Sequence, residues 1–238
     1  MPIYASKNTN VYRYVSGTWS AVRGASSGTG SDGGDLASYG LSAAYGTGAG
    51  AFHTAGRGYD AYRITRSFFY FDFSSESGTV IGADIAIHTK GTPGCDIIFV
   101  ASDAFGGDGG TAAHLNDYNN FDTSTPYSAE VPVGNLDADD YNIISLNSDA
   151  LSYINANSRL IICMMEHTYD FSDSAPSGLS ASTSIYYTQQ SGTDKDPYIR
   201  YNVAAAGYGH TVNGVAPANI ATVKGVATAN IETVIGVD

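Results

Sequence analysis

Charge is scarce in this chain, and positive charge is scarcer. Only 14 % of the 238 residues are charged, with 11 Lys and Arg against 23 Asp and Glu, a formal net charge of -12. So few cations leave no basic stripe to track a phosphate backbone, and the acidic balance repels one, so nucleic acid is not an expected partner. No run approaches the roughly 18 apolar residues of a membrane-spanning helix, and membrane insertion is not expected. The start, Met1-Pro-Ile-Tyr-Ala-Ser-Lys7, lacks the basic, apolar and small-residue succession of a secretory signal, and no Asn-x-Ser/Thr acceptor occurs. Synthesis in a cytoplasm without a signal peptide is the expectation. Just two cysteines are present, Cys95 and Cys163, each inside an apolar strand-like run where a buried free thiol is the usual state. A disulfide would require those strands to be neighbours, which sequence does not reveal.

Histidine also lacks pattern. His53, His88, His114, His167 and His210 show no H-x-x-x-H or H-E-x-x-H spacing and no cysteine at ligand distance, so zinc has no support. His88 continues the alternation after Ile85 and Ile87 and is expected on the polar face of its strand. His167, beside Tyr169 and Asp170 at a strand end, is expected in a turn. Gly24-Ala-Ser-Ser-Gly28 fits G-x-S-x-G and Gly28-Thr-Gly-Ser-Asp-Gly33 fits G-x-G-x-x-G. Neither follows an expected strand nor opens a helix, the context on which those chemistries depend. Asp103 with Asp108, and Asp137, Asp139 and Asp140, place oxygen ligands at short loop spacings that suit calcium. The Gly and terminal Glu of an EF-hand loop are missing, so plain turns are the preferred reading. The carboxylates are too many to select a glycosidase pair. No catalytic residue and no cofactor is assigned, with calcium at Asp137, Asp139 and Asp140 the weak candidate.

What is abundant is glycine, 28 residues, and tyrosine, 18, among many Ser, Thr and Ala, the composition of β-proteins that meet other surfaces. The length suits one large domain with appendages. Residues 1–54 read as an N-terminal strand at 10–15 followed by a Gly/Ser/Ala-rich loop region over 16–50. Trp19, Leu36, Tyr39, Leu41 and Tyr45 would pin that loop to the body. Residues 55–203 read as the body. Its strands are 61–73, 79–89, 95–102, 142–146, 159–166, 182–189 and 197–203, from β-branched, aromatic and period-two patterns. A short helix is expected at 148–155, capped by Asn147, Ser148 or Asp149. Many short strands between Gly, Asp and Pro turns give an all-β fold, an antiparallel β-sandwich or jelly roll. Phe69, Phe71, Ile85 and Ile87, read as alternating along adjacent strands, are core candidates. The tyrosines suit either sugar stacking or core filling, edge covering and subunit packing, the second being preferred. Tyr186 and Tyr187 alternate, so only one can face a given side.

Residues 204–238 form the tail, which repeats. Val212-Asn-Gly-Val-Ala-Pro-Ala-Asn-Ile-Ala-Thr222 is followed at once by Val223-Lys-Gly-Val-Ala-Thr-Ala-Asn-Ile-Glu-Thr233, and Val234-Ile-Gly-Val-Asp238 begins a third copy. A period of eleven also suits a right-handed helical coil, but a Gly and several β-branched residues in each unit favour short extended segments. One unit is too small to bury its valines and isoleucines alone, so a partner is expected. The assembly candidates are Val212, Gly214, Val215, Ile220, Val223, Gly225, Val226, Ile231, Val234 and Gly236.

Arg66-Ser-Phe-Phe-Tyr-Phe-Asp-Phe-Ser74 followed by Gly78-Thr-Val-Ile-Gly-Ala-Asp-Ile-Ala-Ile87 resembles the strand pair of DNRLRE-type β-sandwich domains. That resemblance, over residues 55–203, implies a jelly-roll module on extracellular or virion surfaces. Asp117-Tyr118, Tyr141-Asn-Ile-Ile-Ser-Leu-Asn147 and Asp196-Pro-Tyr198 are similar to elements of related modules in tailed-phage structural proteins, and the tail resembles C-terminal repeats of phage virion proteins. The resemblance implies a non-enzymatic structural protein of a virion, a head decoration, fibre or tail component. Its expected partners are copies of itself and other virion proteins, with host surface glycans as a further possibility. The alternatives from other classes are a carbohydrate-binding adhesion module, marked by an exposed aromatic strip, and an extracellular filament subunit, marked by strand exchange.

Overall fold

The computed structural model describes residues 2–36, 40–56, 59–178, 182–204, 222–223 and 226–227. The chain opens with β1 (Ile3–Tyr4), β2 (Lys7–Ser16), helix α1 (Trp19–Arg23), β3 (Gly34–Leu36), β4 (Leu41–Ala43) and β5 (Tyr45–Gly56). The middle contains β6 (Tyr59–Asp72), β7 (Val80–His88), β8 (Ile97–Ser102), β9 (Phe121–Pro126) and β10 (Tyr141–Ser145). Helix α2 (Ser148–Asn157), β11 (Arg159–Glu166), β12 (Ser182–Tyr186) and β13 (Tyr198–Val203) complete the body, and β14 (Thr222–Val223) and β15 (Val226–Ala227) lie in the tail.

These strands build an all-β antiparallel sandwich. One sheet has four strands in the order β1-β13-β7-β10; the other has nine, along β4-β3-β2-β6-β11-β8-β9, with β5 and β12 beside that path. The spine of the large sheet is β6, whose aromatic and β-branched run suits a pleated, buried strand. One edge of β6 pairs with β2 from Ala61↔Ser16 to Tyr70↔Lys7. The other edge pairs first with β5, from Tyr59↔Gly56 to Thr65↔Gly50, and then with β11, from Ser67↔Met164 to Asp72↔Arg159. Strand β12 adds to β5, and the Thr89↔Ile185 bridge ties it to the end of β7, closing a corner between the sheets.

Alternation along β6 feeds two cores. Phe69, Phe71 and Phe73 point between the sheets, where Leu160, Ile162 and Met164 of β11 meet Ile85, Ile87, Ile144 and Ile199 of the small sheet. Phe69, Phe71, Ile85 and Ile87 are all fully buried. Strands β6 and β7 belong to opposite sheets, so these four face one another across the sandwich instead of standing on adjacent strands, and both pairs lie inside. On its opposite face the large sheet carries Ile64, Phe68, Ile161, Cys163 and Met165, covered by Trp19 and Val22 of α1 and by Phe105 and Tyr118. Burial on both faces explains why seven consecutive residues of β11 are buried with no polar alternation.

The Gly/Ser/Ala-rich stretch departs from its expected loop. It contains α1, β3, β4 and the first half of β5, and the 54/55 boundary falls inside β5. Its glycines read as turn chemistry but serve close approach: a Cβ on Gly46 would lie 2.5 Å from the Asp32 carbonyl oxygen and one on Gly48 2.4 Å from the Met164 methyl. Of the expected anchors, Trp19 and Leu36 are buried, while Tyr39 lies outside the described residues. Helix α2 is where its caps place it, with the Asn147 side chain accepting from the Asp149 and Ala150 amides at 3.0 and 3.1 Å. Among the described residues no helix is long and apolar enough to cross a membrane.

Candidate functional site

Three groups of residues carry chemistry: the Gly-rich motifs, a buried ion pair, and a line of aromatic rings on the small sheet. The Gly28–Gly33 motif is a scaffold. Fully buried Asn10 turns its amide oxygen to Ser31 Oγ at 2.8 Å and to the Asp32 and Gly33 amides at 2.9 and 3.2 Å, and donates to Asp32 Oδ1 and the Thr47 carbonyl at 2.5 Å. Arg63 closes the group on Asp32 at 2.5 Å. Gly28 has no room for a Cβ, which would sit 2.2 Å from Val11 and 3.0 Å from the Tyr12 carbonyl oxygen. The motif's polar atoms are thus spent on holding β3 and β5 against β2.

The buried ion pair was not read from the sequence. Arg66 stands on β6 between Ile64 and Phe68 and points into the second core with no solvent exposure. Its Nε and Nη2 donate to the two Asp170 carboxylate oxygens at 2.7 Å each, and Nη1 donates to the Tyr118 carbonyl at 2.8 Å. The guanidinium lies 4.3 Å from the Tyr118 ring centroid and 4.1 Å from that of Phe121. Burial depresses the Arg66 pKa, but the Asp170 charge and hydrogen bonds outweigh it, so the group is held protonated. Nearby Glu166 accepts from the amides of Thr168, Tyr169 and Asp170 at 2.9, 2.7 and 3.0 Å, which fixes the turn that presents Asp170. Burial raises the Glu166 carboxyl above its usual range, against the pull of those amides. An arginine at an inward position of an apolar strand was the available signal.

The aromatic line begins at the outer face of the small sheet. Cross-strand register places Tyr4 beside Tyr198, then Ala86, then Ile143, and in the next row Arg200, Asp84 and Ser145. The Tyr4 and Tyr198 ring centroids are 5.8 Å apart at 60°, and those of Tyr198 and Tyr141 are 5.1 Å apart at 67°. Small, buried Ala86 leaves room for that approach. Tyr141 continues to His88 at 5.1 Å, His88 to Tyr186 at 5.3 Å and Tyr186 to Tyr45 at 6.0 Å. His88 is therefore not on an open polar face: two tyrosines enclose it, and its Nδ1 lies 2.8 Å from the Thr89 carbonyl oxygen. Tyr186 joins this line while Tyr187 turns inward, fully buried beside Phe69 and hydrogen-bonded to Ser67 at 2.7 Å. The other tyrosines divide too: Tyr118 and Tyr127 fill the interior, whereas Tyr4 and Tyr45 are 39 and 51 % exposed.

The remaining sequence candidates are dispersed. Asp137, Asp139 and Asp140 share one exposed loop, where Asp139 accepts from the Gly91 amide of a neighbouring loop and Asp140 from that of Tyr141 next in sequence, each at 2.7 Å. Asp108 likewise accepts from the Gly110 amide at 2.6 Å. Among the described residues no three His, Cys, Asp or Glu side chains converge on a metal-sized space. His167 opens the turn after β11, 3.3 Å from Glu130 and stacked on Phe171. Cys95 lies in the inter-sheet core and Cys163 in the second core, both buried and free, and burial pushes the Cys95 thiol up to about 12.

Of the tail candidates, Val223 and Val226 pair with each other, the antiparallel β14–β15 contact. Val212, Gly214, Val215, Ile220, Gly225, Ile231, Val234 and Gly236 lie outside the described residues. No protein-family profile matches the chain, and no curated protein matches it.

Proposed function

We propose that this chain is a non-enzymatic structural protein of a virus particle, self-associating or anchored through its C-terminal repeat, with the β-sandwich body displayed. The observation that carries the reading is the Val223↔Val226 pairing across the two-residue Lys224-Gly225 step. The same Val-x-Gly-Val step recurs at Val212-Asn-Gly-Val215 and Val234-Ile-Gly-Val237, and Asn-Gly is the strongest short hairpin signal. A lone two-stranded hairpin is marginal in water, so a series of them gains stability by pairing with other chains. The resemblance of residues 66–87 to surface-displayed sandwich domains supports the particle assignment. Calcium is no part of this reading.

The test compares the full chain with one ending at residue 204, by light scattering after size exclusion and by thermal melting. The full chain should assemble, and the shortened one should be monomeric with an unchanged melting temperature. Assembly that survives the truncation would refute the anchoring role.

A further inference from the structure

We propose that the groove between Tyr4, Tyr141 and Tyr198 on the outer face of the small sheet is a binding site for neutral pyranose chains. The groove is open and has a volume of about 490 Å³, and Pro2, Thr193, Asp194, Arg200 and Tyr201 complete its lining. That is the size of a small-molecule site, mostly ring-walled with a few polar groups at fixed positions.

Three features select a sugar. First, the rings are tilted by 60° and 67° to their neighbours, so they make the walls of a trough and not one flat plate. A pyranose suits such a trough because it has apolar C–H faces and hydroxyl edges, and each part finds its own surface. Second, the walls are held in advance. Tyr141 Oη donates to the Asp196 carbonyl at 2.9 Å, and the ring of Tyr198 packs edge-on against Tyr141 and tilted against Tyr4. Little side-chain entropy remains to be lost on binding. Third, the row beside the rings is a built donor and acceptor array. Arg200 Nε donates to Asp84 Oδ2 and Ser145 Oγ to Asp84 Oδ1, both at 2.7 Å. The Arg200 side chain is 58 % exposed, and the N–H groups not spent on Asp84 are left for ligand hydroxyls.

Charge narrows the class. Arg200, the cation of the lining, is already paired with Asp84, Asp194 adds a further acid, and the chain carries a net charge of -12. In the groove itself, sialic acids and uronates would meet Asp194 and an arginine already paired with Asp84. The tyrosine line also extends past His88 to Tyr186 and Tyr45, where Lys195 and Lys90 lie 4.3 and 4.1 Å over the rings and offer donors to the hydroxyls of an extended chain.

The experiment uses the full chain on an array of glucose, mannose, galactose and N-acetylglucosamine hexasaccharides beside polysialic acid and polygalacturonate, followed by calorimetric titration of the best neutral probe. Binding to a neutral hexasaccharide is expected. Tyr198→Ala and Tyr4→Ala should each weaken it by about tenfold or more. Tyr14→Ala, which removes a ring 47 % exposed on the large sheet, should leave it unchanged. Thermal melting of all three variants separates lost binding from lost folding, and Tyr4, on the short edge strand, is the variant least able to disturb the body. Retention of polyanions only, of no glycan, or equal binding by Tyr198→Ala and Tyr4→Ala would each overturn the proposal. So would a change in self-association by these variants with no glycan bound, which would place the groove between copies. Tail-dependent assembly is read by a different truncation and a different measurement, so either idea fails without the other.

Discussion

The two cores on either side of the large sheet are built on different principles. Between the sheets, Phe69, Phe71 and their aliphatic partners are held by shape and burial, and the strands that deliver them satisfy their backbone groups in ladders. On the other face the cover is a five-residue helix and turns, which have no ladder to fix them. There a buried ion pair does the fixing: Arg66 joins β6 to Asp170 and to the Tyr118 carbonyl, and Arg23 of α1 donates to the Asp170 carbonyl at 2.8 Å. Regular structure positions itself, whereas irregular structure needs directional bonds at named atoms.

The largest effects should come from breaking each core by its own logic. Phe71→Ala should cost about 3 to 5 kcal/mol by leaving a cavity. Asp170→Asn should cost about as much by leaving the Arg66 charge buried without its counterion, although it removes almost no volume. Urea unfolding measures both, and a loss below about 1 kcal/mol for either would deny that core its assigned basis. Next in size is a difference in local opening. Each core contains one free thiol, so labelling with a thiol reagent reads them separately. Asp170→Asn should speed labelling of Cys163 by about tenfold or more and leave Cys95 slow, with peptide mass mapping to assign each site. Equal acceleration would mean that the cores open as one.

A smaller effect is expected from replacing the pair outright. Arg66→Met with Asp170→Leu should be less destabilised than either single replacement, since no buried charge is left, though the Tyr118 carbonyl loses its donor. A double variant worse than both singles would show that the ion pair adds stability beyond its own desolvation. The smallest effect is one of pH. Burial raises the carboxyls of Glu166 and Asp117, so the stability they contribute is fully present below their unfolded pKa values and lost as pH rises through the folded ones. Glu166→Gln removes one such loss. The melting temperature of the variant relative to the native chain should therefore rise as pH increases through and above the ordinary carboxylate range. A flat or falling difference would contradict the burial argument.

Much of this contrast was legible in the sequence on one side only. The inter-sheet core follows from alternation in 61–73 and 79–89, and α2 follows from Asn147, because period and capping are local properties. Strand β5 was hidden because Gly46, Gly48 and Gly50 signal turns, while their meaning here is the nearness of Asp32, Met164 and Ser182. Strand β9, with Asp122, Ser124 and Thr125, is a polar edge strand whose side chains bond among themselves. Tyr4, Tyr141 and Tyr198 come from separate segments, and only strand register makes them neighbours, so no spacing rule reveals the groove. His88 shows the same limit: alternation gives its face correctly but does not reveal the tyrosines that cover it.

The pairing of Ile3 with Ile199 also governs how the molecule is made. Ile3 waits for Ile199, and β6 waits for β11, pairings that only distant downstream chain can complete. Non-local topology of this kind folds slowly, because loop closure must be met before any contact repays it. For most of its synthesis the nascent chain therefore carries β2, β5 and β6 without the sheet that buries Phe69 and Phe71, the interval in which such chains aggregate. Closure of the sandwich therefore waits for β13, the last strand of the body. Because β13 precedes the repeats, closure of the sandwich requires none of them, which separates folding of one chain from association of many.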